Sequence, residues 1–366
     1  MAMLRLVIVL FIGLFCRIDA ASAQDGRDYV RVIGRPETLA YAADVAEALV
    51  RNAQRKYPQL EQSSDEGAIR TFCTTVRDTP DLMLLPQAIE DARPVVCPSL
   101  EPLLNLPIGR QVFVVYSAPD APEFRLTREI LFRAMARELP RRDSEGALAS
   151  FERNPNLRWS EIDPSLPDVP IRLLLPPRRS VQWLAIEDLV MRPGCASIPA
   201  IAELALIDQQ MASQRCLARR TDFSLNYADP SAASGSQARI PKGTELSLNE
   251  LRFVPEGMAL VAVEGTIPDR AAIESGHYRM ARQVVAVVKR NRLDAIPSLR
   301  DYLQEMTSPA AAGPGGYLQR SGLDPLSETV LRQSATQARF AMPEAVRRLQ
   351  AKTVGDAAKP DAGLAR

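Results

Sequence analysis

Tyr29-Val30-Arg31-Val32-Ile33-Gly34 reads as a strand: apolar and polar side chains alternate, and a glycine ends the run. Beyond the glycine the period changes. Over residues 38–56 the apolar positions Leu39, Ala42, Val45, Ala46 and Leu49 recur at three- and four-residue steps, which predicts a helix. A short strand is expected over 59–62, a second helix over 63–76 and an apolar strand over 81–85. Strands that alternate with helices predict an α/β fold with parallel strands joined by right-handed crossovers.

The pattern continues outward. Strands are expected over 111–116, 171–175, 258–263 and 284–288, and helices over 126–139, 180–191 and 297–306. The Pro/Ala/Gly segment 309–316 reads as a loop. A helix is expected over 328–349, with a disordered Ala/Lys/Asp-rich tail behind it.

The first 23 residues read as a cleavable secretory signal. Arg5 supplies the positive start, 6–15 is an apolar run, and Ala21-Ser22-Ala23 gives the small-x-small cleavage pattern. The run is too short to span a bilayer, and no later stretch approaches the ~18 apolar residues a spanning helix needs. Phe15 stands where a lipoprotein signal needs a small residue before Cys16. The expected location is therefore the periplasm. There, the four cysteines beyond the signal, Cys73, Cys97, Cys195 and Cys216, read as two local disulfides, Cys73–Cys97 and Cys195–Cys216. Free buried thiols are the alternative.

Composition narrows the function. Lys and Arg number 45 against 44 Asp and Glu, so no basic patch for nucleic acid is indicated. One histidine in the chain argues against His-based metal or triad chemistry. No nucleophile–base arrangement or metal-ligand spacing stands out, so neither an enzyme nor a bound cofactor or metal is expected.

Several motifs resemble the phosphate-binding proteins of ABC importers. They are Asp78-Thr79-Pro80-Asp81; Trp159-Ser160-Glu161-Ile162-Asp163-Pro164 with Leu166-Pro167-Asp168-Val169; the stretch 279–290; and Ile296-Pro297-Ser298-Leu299-Arg300 through Met306-Thr307-Ser308 to Gly313-Pro314-Gly315-Gly316-Tyr317-Leu318. The resemblance covers about residues 28–330. It implies a type II periplasmic-binding fold of two lobes joined by two crossing strands, near 109–116 and 280–288. Lobe one would comprise 28–112 and 283–330, lobe two 113–282, and 331–366 a terminal helix and tail. It further implies a monomer with an importer permease as partner.

The same resemblance implies a ligand cleft, and there the sequence departs from the family. Gly34 remains, but Arg35, Pro36, Glu37 and Thr38 replace a Gly-Ser-Ser-Thr turn. Pro36 lacks a donor and Glu37 brings a carboxylate to an anion's place. The next helix opens on Ser63, Ser64, Asp65 and Glu66, with a capping box expected between Ser63 and Glu66. Pro86-Gln87 stands where a Ser-Arg pair is expected, and Ser180 is followed by Val181 and Trp183. Arg178 and Arg179 could supply a new clamp, or bridge the cleft to Glu37, Asp65 or Glu66. The candidate ligand-binding set is thus Gly34, Arg35, Glu37, Thr38, Ser63, Ser64, Arg178, Arg179 and Ser180. A small anion or zwitterion, or no ligand but an envelope protein as partner, are the outcomes this set admits.

Overall fold

The structure is a computed structural model that describes residues 27–74, 78–89, 94–97, 103–146, 148–228 and 241–340. Residues 1–23, expected to be a signal, and the residues beyond 340, where the tail is expected, lie outside the described residues. The chain opens with β1 (Arg31–Gly34), α1 (Pro36–Ala53), β2 (Gln59–Gln62), α2 (Asp65–Phe72) and β3 (Leu82–Ala88). The long strand β4 (Leu103–Ser117) leads to α3 (Arg128–Met135), the hairpin β5 (Glu138–Arg142) and β6 (Leu148–Arg153), and α4 (Trp159–Ile162). Then come β7 (Leu173–Leu175), α5 (Val181–Ile186), β8 (Leu225–Tyr227), β9 (Leu246–Glu250), β10 (Ala259–Val261) and β11 (Ala281–Lys289).

One curled sheet runs β2-β1-β3-β11-β4-β9-β7-β8, with β10 on the far part of β4. β1 is parallel to β2 and β3, as the alternation predicted, while β11 lies antiparallel between β3 and β4. β4 serves both halves. Its residues Leu103–Val112 pair with β11, and Phe113–Ser117 pair with β9. The fold is two-lobed: one core draws on residues 112–281, and another on 30–108 together with 284–338. β4 and β11 are the segments that join them. β11 can occupy a central position because Val284, Val285, Ala286, Val287 and Val288 are buried on both faces, the composition a doubly covered strand requires.

The helices form for local reasons. Pro36 occupies the first turn of α1, where its missing N–H costs nothing, and Ala42, Val45, Ala46 and Leu49 face the core. The helix begins before the predicted 38 and ends earlier, on Gln54 in the left-handed region. The α2 start corrects the sequence reading. Ser64, not Ser63, is the cap, accepting from the Gly67 amide at 3.1 Å, so α2 spans 65–72 and no Ser63–Glu66 capping box forms. The expected helix 180–191 divides into α5 and a π-helical turn, Glu187–Met191. The 309–316 loop contains a short helix, Pro309–Ala312, capped by Ser308.

β3 extends past the predicted 85 through Pro86. β1 stops pairing at Leu84, so the proline interrupts no ladder on that side. The C-terminal helix, Glu328–Phe340, is no free appendage: Leu331 and Ala338 are buried in the core built from 30–108 and 284–338, and Ser334 Oγ donates to the Pro107 carbonyl at 2.9 Å. Two disulfides close local loops, Cys73–Cys97 and Cys195–Cys216, with Cα atoms 5.3 and 5.4 Å apart.

Candidate functional site

β1 delivers the chain to the boundary between the cores. At Gly34 an added Cβ would fall 2.8 Å from Thr38 Oγ1 and 3.0 Å from the Leu84 carbonyl, so the close approach of β1, α1 and β3 requires glycine. Thr38 is fully buried, and its hydroxyl donates to the Arg35 and Leu84 carbonyls at 3.1 and 3.3 Å. That hydroxyl is committed to the protein.

Arg35, at the N-cap position of α1, reaches across the boundary between the cores. Its Nε lies 2.6 Å from Glu37 Oε1, and its Nη1 contacts Asp65 Oδ2 at 3.3 Å and also Asp188 Oδ2. Asp188 comes from the π-helical turn of the other core. From β11, Arg282 completes the cluster: Nη1 to Asp188 Oδ2 at 3.0 Å, Nη2 to Glu37 Oε1 at 3.3 Å, and Nε donating to Gln111 Oε1 at 2.8 Å. Gln111 Nε2 donates in turn to Tyr41 Oη at 3.0 Å. Two arginines thus tie elements of both cores to each other, and α1 packs against α5 beside them.

Three carboxylates meet two arginines here, and burial and these charges shift the pKa values in opposite directions. Burial raises the Glu37 pKa; Arg35, its own backbone N–H and Arg282 pull it down without fully compensating. Asp65 behaves alike, burial outweighing Arg35. Burial disfavours the Arg35 charge as well, but Asp188, Glu37 and Asp65 outweigh it and hold its pKa above the ordinary value. An incoming dianion would meet these three carboxylates in a poorly solvated place, where like-charge repulsion amounts to several kcal/mol, on the order of 4 per close pair at an intermediate dielectric.

The remaining predicted residues fall elsewhere. Ser63 is half-buried, with its Oγ set against the place a Gly67 Cβ would occupy. Ser64 is exposed and caps α2. Ser180 caps α5, accepting from the Trp183 amide at 3.2 Å. Arg178 and Arg179 are exposed and do not join the cluster, and Glu66 is exposed outside it. The bridge between the cores therefore forms, but from Arg35 and Arg282 to Asp188 rather than from Arg178 or Arg179. Sequence reasoning missed Asp188, Arg282 and Gln111. A signal existed for Arg282: an arginine at the mouth of an apolar strand is buried only if paired. Among the described residues no group of three or more His, Cys, Asp or Glu is placed to hold a metal.

The sequence matches the family model described as PBP superfamily domain over residues 19–310. The chain belongs to the PBP superfamily. No curated protein sequence matches it. Among solved structures, a possible phosphate binding protein from Planctomyces limnophilus is 15% identical, with a TM-score of 0.59, covering 86% of this chain and 99% of that one. PstS from Borrelia burgdorferi is 12% identical, with a TM-score of 0.48, covering 82% and 100% of the two chains. An ABC-type phosphate transport receptor from Vibrio cholerae is 10% identical, also at 0.48, covering 81% and 99%. At such identities the likeness is one of fold. This PBP-superfamily protein therefore shares its two-lobed scaffold with binding proteins, while its cleft has to be read from its own residues. Among the described residues no single helix is long and apolar enough to cross a membrane.

Proposed function

We propose that this protein is an exported solute-binding protein of the phosphate-importer type in which an internal ion-pair cluster has taken the place of the anion, so that inorganic phosphate is not its ligand. The observation that carries this reading is the Arg35–Glu37–Asp65–Asp188–Arg282 cluster. The turn after β1 and the two serine-capped helix starts, where an anion would find donors, are satisfied by the protein's own groups. Residues 1–23 act as the export signal, the lobes divide at 28–112 plus 283–330 and 113–282, and the monomer delivers its solute to an importer permease without chemistry of its own. Of the candidate set, Arg35 and Glu37 belong to the cluster, Gly34 and Thr38 support it from inside, Ser64 and Ser180 are helix caps, and Ser63, Arg178 and Arg179 lie outside it.

A second reading is favoured by one feature. Asp188 reaches from one core to arginines of the other, which would hold the lobes together without solute. In that case the protein is a fixed-shape partner for an envelope protein. Thermal unfolding of the signal-free protein against phosphate, sulfate, carboxylates and amines separates these. No response to phosphate together with a rise for another solute is expected. A clear rise with phosphate sinks the proposal, and no rise with any solute transfers it to the second reading.

A further inference from the structure

A second group of arginines, in the other core, is built in the opposite way. The Arg178 guanidinium lies 4.6 Å above the Tyr227 ring, and Tyr227 meets Trp183 edge-on, with centroids 6.3 Å apart. Arg219 lies 4.1 Å over the other ring of that pair, Trp183. Trp183 is buried and its Nε1 donates to Glu187; Arg219 Nη2 donates to the Arg178 carbonyl at 3.2 Å. These bonds leave two buried polar atoms over: Arg219 Nη1 and Tyr227 Oη have no hydrogen-bond partner. Neither Arg178 nor Arg219 is ion-paired to a carboxylate among the described residues.

An arginine donor and a phenol left unpartnered in one stack cost free energy unless acceptors meet them. The charge is equally one-sided. Burial lowers the Arg219 pKa and the neighbouring Arg178 adds to the effect; the pull of Tyr227 and Glu187 does not restore it. Arg178 is exposed and Tyr227 and Arg219 are half-buried, so the edge of the group meets solvent while Arg219 Nη1 and Tyr227 Oη lie inside it.

We propose that Arg219 Nη1, Tyr227 Oη and the Arg178 guanidinium form the subsite for a carboxylate group on a small solute, with the buried Trp183 ring as the apolar support beneath Arg219. The inference rests on the solute-binding reading above and names the chemistry of the solute. Two arginines against Glu187 leave one positive charge in the stack, which a monoanionic carboxylate neutralises; a phosphate dianion overshoots it. Guanidinium and phenol donors together can meet both lone-pair faces of a carboxylate.

The test uses the signal-free full chain at constant ionic strength, with acetate, propionate, glutamate, putrescine and phosphate as probes. Thermal unfolding is read alongside tryptophan fluorescence. The chain has two tryptophans, and Trp159 is buried in the core, so a Trp159→Phe background isolates Trp183. Carboxylates are expected to raise the unfolding temperature and perturb Trp183 emission. Tyr227→Phe and Arg219→Gln should each weaken binding by about 10- to 100-fold, the range for a hydrogen bond to a charged group. If the Trp159→Phe chain does not fold, the thermal measurement on the tryptophan-intact proteins decides alone. A carboxylate effect that survives Arg219→Gln undamaged overturns the subsite while leaving the solute-binding reading in place. A response to amines but not to carboxylates does the same. No response to any probe removes both.

Discussion

The two arginine groups of this protein flank the same cleft-forming elements and have opposite electrostatic character. Arg35 and Arg282 are surrounded by Glu37, Asp65 and Asp188, and every charged contact is made within the protein. Arg178 and Arg219 lie on aromatic rings, and Arg219 retains a buried N–H with no acceptor. Two arginine groups on one scaffold therefore differ in kind: one is neutralised internally, and the other keeps an unsatisfied donor. Fold resemblance constrains where arginines can converge, and the neighbouring carboxylates decide what they bind.

The largest effect should come from breaking the neutralised group. Arg282→Met leaves Glu37, 3% exposed, without one of its two cationic partners, and strands the Gln111 carbonyl oxygen. Removing one member of a buried pair costs about 3–5 kcal/mol, read as a lower urea midpoint. Adding Glu37→Gln to that variant should recover a measurable part, because the uncompensated charge is then gone. Strictly additive losses would mean the two side chains do not interact.

The helix starts on either side of the cleft sharpen the contrast at a smaller scale. Ser64→Ala and Ser180→Ala each remove an accepting hydroxyl from a helix's first turn and should each cost about 1 kcal/mol. Ser63→Ala, which removes no cap, should cost a few tenths at most. A Ser63 cost equal to that of Ser64 would place the cap one residue earlier than described. In the unpaired group, Arg219→Gln should be milder than Arg282→Met. It forfeits the stacking on Trp183, about 1 kcal/mol, and relieves a half-buried charge that no carboxylate among the described residues pairs directly. An Arg219→Gln loss as large as that of Arg282→Met would erase the distinction between the groups.

Much of the scaffold is legible in the sequence because it depends on local pattern. The Leu39–Ala42–Val45–Ala46–Leu49 period marks α1, and the β-branched run of β11 marks a doubly buried crossing strand. Cysteine spacing indicates both disulfides. The site is less legible because its decisive contacts are long-range. Arg35 and Asp188 are brought together only by the packing of α1 on α5, and nothing near either residue announces the other. The same holds for Arg178 and Tyr227, whose ring contact depends on β7 and β8 lying side by side. Ser63 and Ser64 show a finer limit. Either hydroxyl can cap a helix in sequence terms, and backbone geometry selects the second.

Acidity probes the two regions with opposite signs. Burial raises the pKa of Glu37 and Asp65 in the folded protein, so across the window between the ordinary carboxylate range and their raised values the folded state holds more protons than the unfolded chain. Stability from these groups is therefore present at low pH and lost as pH rises through the folded pKa values. Asp222 in the other core titrates the other way. Burial opposes its charge, but hydrogen bonds from Arg220 and Ser224 win and hold its pKa low, so its contribution is lost as pH falls through that lowered value. Lowering pH from neutral toward the ordinary carboxylate range should thus stabilise the cleft cluster before acid begins to loosen the Asp222 loop. Glu37→Gln combined with Asp65→Asn removes the first effect. The double variant should lose stability to acid earlier than the parent when urea midpoints are followed down in pH. Superimposable profiles would mean that these carboxylates carry ordinary pKa values, and that the cleft is wetter and better compensated than its ion pairs indicate.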